Sequence, residues 1–152
     1  MRLTNMVVNV SAQRDRVFAF LRDPMKVKRW QPDVVSTEIV SGNGLQKGSR
    51  WRATVKEPQR GTFDLEVWVA DVVENERIVY AMEEPQSRAD IEYQLIGSGD
   101  GTQVVCSADF KLKGIAKFLS PLVKGFVARK FRSRLDLLRE QIEADEVQRG
   151  AA

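Results

Sequence analysis

The chain has 152 residues, of which 43% are hydrophobic and 30% charged, a composition typical of a soluble globular protein. This length is sufficient for one domain with a sizeable core, and we predict a single ligand-binding domain over residues 1–152. No window approaches the roughly 18–20 apolar residues of a membrane span, and the alternating N-terminus is unlike a signal peptide. The single cysteine, Cys106, excludes an internal disulfide, so we expect a cytoplasmic protein.

The net charge of +3 is distributed unevenly along the chain. Eight Lys or Arg residues and no Asp or Glu lie between Phe110 and Leu135. Three interpretations remain open: a solvated helix face, a weak contact with an anionic membrane surface between Lys111 and Arg134, or a nucleic-acid site. No nucleic-acid motif or aromatic platform accompanies the charges, so we expect no nucleic-acid partner.

The first elements follow from local signals. Residues 3–10 predict a strand, and Ser11 predicts the N-cap of a helix of about ten residues. Asp23 and Pro24 predict a second, short helix that ends near Trp30. Alternating or β-branched runs then predict six further strands, at 34–40, 48–57, 63–69, 78–82, 89–95 and 104–112.

One long amphipathic helix closes the chain. Ser120 and Pro121 mark its start, and a stripe at intervals of three and four residues predicts its buried face: Val127, Phe131, Leu135, Leu138 and Ile142. Leu122 and Phe126 lie well round the helix from this stripe. Either the helix is apolar over a wide, enclosed arc at its start, which we favour, or residues 115–119 form a separate turn.

Nearly every strand has one apolar and one polar face, which indicates an antiparallel sheet with one solvated side. The element order predicts an α+β fold, in which a curved sheet of about seven strands wraps around the C-terminal helix. A hollow between them, lined by apolar side chains, is a ligand site by default. Alternation places one set of residues in its wall: Trp51, Val55, Phe63, Leu65, Val67, Ile91, Tyr93, Val104, Cys106, Phe110, Leu122 and Phe126. We expect Asp64, Glu66, Asp90 and Glu92 on the outer face, and Trp68 with them.

Catalytic residues are scarce. The chain has no histidine, which excludes Ser-His-Asp and Cys-His arrangements and histidine metal sites. Cys106 is interpreted as core, and we predict no catalytic residue, no cofactor and no metal. An enzyme would have to use groups inside or near the hollow: Tyr80, Tyr93, Lys130, Arg134 or Arg60.

Several motifs resemble those of the START-like, or SRPBCC, superfamily, which has the helix-grip fold. They are VNVSAQRDRVFAFLRDP at 8–24, RWQP at 29–32, GSRW at 48–51, and the basic C-terminal helix. The superfamily includes polyketide cyclase/dehydrase-like proteins, lipid-transfer domains and birch-pollen-allergen-like proteins. The resemblance is nearest to small single-domain cyclase/dehydrase-like members. It implies a cavity for hydrophobic molecules with Trp30 at one end, either in the core or at the entrance.

We therefore predict that the chain binds or transports a hydrophobic or aromatic small molecule or lipid, as a monomer or homodimer. Trp30, Tyr80 and Lys130 join the wall residues as ligand-binding candidates. Two alternatives remain: an aromatase/cyclase acting on a poly-ketone, and a membrane-associated lipid or quinone chaperone.

Overall fold

The computed structural model describes residues 1–114 and 120–151, and in them the chain forms one sheet and one long helix, with shorter helical segments near the N-terminus. The strands are β1 Arg2–Val10, β2 Val34–Ser41, β3 Arg50–Glu57, β4 Gly61–Val73, β5 Arg77–Glu84, β6 Ser87–Ser98 and β7 Gly101–Leu112. The helices are α1 Arg14–Leu21, α2 Val27–Trp30 and α3 Ser120–Ala151, and a 3₁₀ turn covers Pro24–Lys26.

The sheet is antiparallel throughout, in the order β1-β7-β6-β5-β4-β3-β2. Strands β2 to β7 pair with their neighbours in sequence, and β1 joins the free side of β7. The β6–β7 turn needs a residue in the left-handed region, and Gly99 supplies it with a φ of 59°. This architecture confirms the predicted helix-grip fold.

The start of α1 differs from the prediction. Gln13 is the N-cap residue and makes no side-chain bond, so the expected cap at Ser11 is wrong. The chain bends at Ser11 and Ala12 and is extended at Gln13, and the buried hydroxyl of Thr102 donates to the carbonyl of Ala12 at 2.7 Å. The Asp23 cap is confirmed, since its Oδ1 accepts from the backbone N–H of Met25 at 2.9 Å.

The predicted stripe of α3 is confirmed over most of its length. Phe131, Leu135, Leu138 and Ile142 are buried against the sheet and the short helices, and Val127 is half-buried: these residues form the inner face of α3. Among the described residues, no helix combines the length and apolar character needed to cross a membrane.

The favoured wide, enclosed arc at the start of α3 is wrong. Leu122 is 78% exposed and Phe126 is 51% exposed. Leu122 lies on the opposite side of the helix from the inner face, and Phe126 lies between the two sides. The alternative turn at 115–119 lies outside the described residues.

Candidate functional site

A cavity of about 290 Å³ lies between the sheet and the first half of α3. This volume is at the lower end of the range for small-molecule sites. Its lining is mainly apolar and includes four phenylalanines, and two of these, Phe110 and Phe131, meet edge to face at 5.8 Å. The apolar lining comprises Val55, Phe63, Leu65, Met82, Ala89, Ile91, Phe110, Leu112, Val123, Phe126, Val127 and Phe131.

The structure divides the predicted site residues into three groups. Those that line the cavity are Val55, Phe63, Leu65, Ile91, Phe110, Phe126 and Lys130, and their contact with a ligand stays a prediction. Those outside the cavity lining but buried in the core are Trp30, Trp51, Val67, Tyr80, Tyr93, Val104 and Cys106. Leu122 lies outside the cavity and is exposed.

Four residues of the core group form an aromatic row. Trp51, Tyr80, Tyr93 and Trp30 are all buried and follow one another edge to face, with ring centroids 6.3, 6.4 and 6.1 Å apart. These large side chains fill the interior beside α1 and α2. The space that remains is therefore at the other end of the sheet, where Ala89 and the aliphatic side chains are smaller.

The two tyrosines of this row do not line the cavity. The Tyr80 hydroxyl donates to the carbonyl of Leu21 at 3.3 Å, and Tyr93 lies directly opposite Cys106 in the β6–β7 pairing. Burial raises the pKa of both tyrosines. Burial also raises the pKa of Cys106 to about 12, which fits the prediction that this cysteine is core.

Ion pairs form a continuous row along one side of the cavity wall. Lys130 Nζ lies 2.9 Å from Asp33 Oδ2 and 2.5 Å from Glu57 Oε1. These pairs fasten α3 to the ends of the strands. We call the row the charged chain, and its members are Arg134, Asp33, Lys130, Glu57, Arg60 and Glu84.

Asp33 is the shared partner at the start of the charged chain. Arg134 donates to both of its oxygens, at 3.1 and 2.9 Å, while Lys130 contacts one of them. Burial acts to raise the pKa of Asp33, but the two cations outweigh burial and hold its pKa below the ordinary value. Asp33 is therefore ionised at neutral pH and compensates two cations at the cavity wall.

The sequence analysis named the cations of the charged chain but missed its carboxylates. Glu57 continues the inward alternation of Trp51, Ala53 and Val55 on β3, and Glu84 continues that of β5. Alternation therefore gave a usable signal for both glutamates. Asp33 lies between α2 and β2, where no periodicity applies.

The outer face of the sheet agrees with the prediction. Asp64 and Asp90 are exposed, and Glu66 pairs with Arg52 at 2.6 Å near the surface. Trp68 lies on this face beneath the guanidinium groups of two arginines, Arg50 at 5.2 Å and Arg88 at 5.4 Å from its ring.

With this fold and cavity, the chain belongs to the polyketide cyclase / dehydrase and lipid transport family, whose model matches residues 1–143. A search of curated proteins found no match.

Solved structures share the fold. The protein TTHA0849 of Thermus thermophilus is 19% identical, with a TM-score of 0.77 over 95% of this chain and 99% of that one. A START superfamily protein of Mycobacterium smegmatis is 18% identical, with a TM-score of 0.67 over 90% and 98%. The ZhuI aromatase/cyclase of Streptomyces sp. R1128 is 18% identical, with a TM-score of 0.76 over 94% and 93%.

Proposed function

We propose that this protein binds a hydrophobic or aromatic small molecule in the cavity between the sheet and α3. The observation that carries the proposal is a space of about 290 Å³ with mainly apolar walls between the sheet and α3. Removing ligand surface from water there contributes roughly 25 cal/mol per Å² of apolar area. The family description, which includes lipid transport, supports the same class of ligand.

Two buried alanines on neighbouring strands provide a matched test. Ala89 on β6 lines the cavity, whereas Ala108 on β7 is equally buried and lies outside the lining. We expect wild-type protein to bind an environment-sensitive apolar dye with a stoichiometry near one. Ala89→Phe places its ring in the empty space and should abolish dye binding with little loss of stability.

Ala108→Phe should have the opposite effect, because it adds volume where no space is available. We expect it to lower the free energy of unfolding by about 1–3 kcal/mol while dye binding persists. Fluorescence titration and chemical unfolding measure the two effects. Equal destabilisation by both substitutions, with dye binding unchanged in both, would contradict the proposal.

An aromatase/cyclase activity is the rival function. The observation in its favour is that Lys130, Arg134 and Arg60 line the cavity, where cations can stabilise an oxyanion that forms during ring closure. The tyrosines that an enzyme could have used lie in the core instead. A cyclised product from a poly-ketone analogue with the wild type, but not with Lys130→Met, would favour this rival.

Delivery at a membrane surface is compatible with ligand binding. Leu122, Phe126 and Arg129 follow at intervals of four and three, so they share one exposed face of α3. Phe126 also lines the cavity, which places this face at the cavity mouth. Apolar and basic groups together match an anionic lipid surface.

A further inference from the structure

We infer that Asn43 is a site of spontaneous deamidation, that the closed loop between β2 and β3 holds this reaction back, and that the isoaspartate product opens the loop. The loop covers residues 42–49 and lies outside the lining of the cavity. The inference therefore does not depend on the proposed ligand.

The sequence supplies the reactive pair of residues. Asn43 is the one asparagine of the chain that precedes a glycine, whereas Asn5, Asn9 and Asn75 precede Met, Val and Glu. A glycine in this position has no side chain to hinder the approach of its backbone nitrogen to the side-chain amide of the asparagine before it. We therefore expect deamidation first at Asn43 when the chain is unfolded.

The reaction requires only water and a base. The backbone nitrogen of Gly44 loses its proton, and its electron pair attacks Cγ of Asn43. The bond from Cγ to Nδ2 breaks, and the amide nitrogen takes up a proton and leaves as ammonia, which closes a cyclic imide. Water then opens the imide. Cleavage of the bond to Cγ gives aspartate, and cleavage of the bond to the backbone carbonyl carbon gives isoaspartate.

The folded loop holds the side-chain oxygen of Asn43 with three donors. Its Oδ1 accepts from the backbone N–H of Leu45 at 2.9 Å and of Gln46 at 3.2 Å, and the Ser49 hydroxyl donates to it at 3.4 Å. Closing the imide requires rotation of both the side chain and the backbone of Asn43. Three hydrogen bonds at one oxygen oppose this rotation.

The attacking residue is restrained as well. Gly44 is buried, its φ is 80°, and a Cβ atom at its position would lie 3.0 Å from Cγ of Pro24. Burial limits the access of a base to its N–H group, and the close packing limits movement of its backbone. Arg22 donates to the carbonyl of Leu45 at 3.2 Å and ties the same loop to the end of α1. The loop must therefore open before deamidation proceeds.

The isoaspartate product cannot restore the closed loop. Its main chain passes through the former side chain, so it contains an additional carbon atom and the acceptor for the three donors is displaced. The closed loop also protects the peptide bond after Lys47, because Gly48 N–H donates to the carbonyl of Val69 at 2.8 Å and Ser49 N–H to that of Gln46 at 2.9 Å. Cleavage by trypsin after Lys47 therefore reports whether the loop is open.

Peptide mapping by mass spectrometry tests the site and its protection. The full chain is incubated at mildly alkaline pH in native buffer and in guanidinium chloride, and the four asparagines are followed over time. In denaturant we expect Asn43 to react faster than Asn5, Asn9 and Asn75. In native buffer we expect Asn43 to react at least about tenfold more slowly than in denaturant, because the loop must first open.

Two serine variants test the role of the donors. Ser49→Ala removes one of the three donors to Asn43 and should accelerate the native reaction about twofold to tenfold, the range that one hydrogen bond contributes. Ser36→Ala, an identical change at an exposed position of β2, should leave the rate unchanged. The comparison of native and unfolded wild type remains decisive if Ser49→Ala is poorly folded.

Trypsin tests the consequence for the loop. Wild type that has been deamidated in denaturant and refolded should be cleaved after Lys47 faster than fresh wild type. Asn43→Asp keeps a side-chain acceptor and a normal main chain, so it should resist cleavage as fresh wild type does.

Three results would overturn the inference. The first is that Asn43 reacts no faster than Asn75 in the unfolded chain. The second is that it reacts equally fast in the native and unfolded protein, and the third is that the isoaspartate form resists trypsin as well as fresh protein does.

Discussion

At the scale of single residues, Asp33 is the group on which the charged wall of the cavity depends. Asp33→Asn removes the charge shared by Lys130 and Arg134, whose side chains are only 26% and 16% exposed. We expect the free energy of unfolding at pH 7 to fall by about 1–3 kcal/mol. Asp90→Asn, at an exposed position of the outer face, should change it by less than about 0.5 kcal/mol.

The difference in the free energy of unfolding between wild type and Asp33→Asn should depend on pH in a definite direction. The folded-state pKa of Asp33 is below its ordinary value, so its stabilisation is complete above the ordinary pKa of about 4. Stabilisation is lost as the pH falls through the lowered pKa, because the wild type then takes up the proton. The gap between wild type and Asp33→Asn should be constant from pH 5 to 7 and shrink below pH 4. Chemical unfolding at several pH values measures it, and an equal gap at pH 3 and pH 7 would contradict the ion-pair explanation.

The sequence correctly predicted which face of the sheet a residue occupies. It did not predict which residues along each strand line the cavity. Alternation placed Tyr93 and Ile91 correctly on the inner face, but only Ile91 lines the cavity. A period of two identifies which side of the sheet a residue occupies and carries no information about which end is filled. Which end is filled depends on the strand register. It also depends on how four aromatic side chains that are far apart in sequence, from Trp30 to Tyr93, pack together.

At the scale of elements, α3 has two unlike halves. Its second half is buried through Leu135, Leu138 and Ile142 and is tied to α2 by Arg29 and Asp145 at 2.7 Å. Its first half covers the cavity and is held by the ion pairs of the charged chain. The sequence stripe predicted the second half well, because packing against a solid core enforces the helical period. The separate expectation of a wide, enclosed arc was wrong for the first turns, where Leu122 is exposed.

Alanine substitutions at two leucines of α3 test the difference between its buried second half and its exposed first turns. Leu138 is fully buried and Leu122 is 78% exposed. We expect Leu138→Ala to lower the free energy of unfolding by about 2–5 kcal/mol, since it removes buried methyl groups and leaves a cavity. Leu122→Ala should change it by less than about 0.5 kcal/mol. Denaturant unfolding followed by circular dichroism compares the two, and similar losses would contradict the described position of the first turns.

At the scale of the whole molecule, positive charge and exposed apolar groups coincide at the cavity mouth. The chain has a net charge of +3, and the region from Phe110 to Leu135 carries no acidic residue. The acidic side chains of α3 lie further along, where Asp145 and Glu146 pair with Arg29 and Arg16 on the short helices. The first half of α3 is therefore the end of the helix that an anionic surface would attract.

We expect the wild type to bind vesicles that contain anionic lipid, to bind neutral vesicles weakly, and to release as salt concentration rises. Arg129→Glu should weaken this binding by about tenfold or more, because each basic group near such a surface contributes about 1 kcal/mol and the reversal changes two charges. Leu122→Ser should weaken it as well, through lost apolar contact.

Lys56→Glu provides the control, since it makes the same change in net charge at an exposed position on β3, on the outer face of the sheet and not on α3. Co-sedimentation with vesicles measures all four proteins. If Lys56→Glu weakens binding as much as Arg129→Glu, net charge alone explains the attraction and the mouth has no special role. If only Arg129→Glu and Leu122→Ser weaken it, the protein meets the membrane with its cavity mouth, where a hydrophobic ligand can pass from lipid to protein without crossing water.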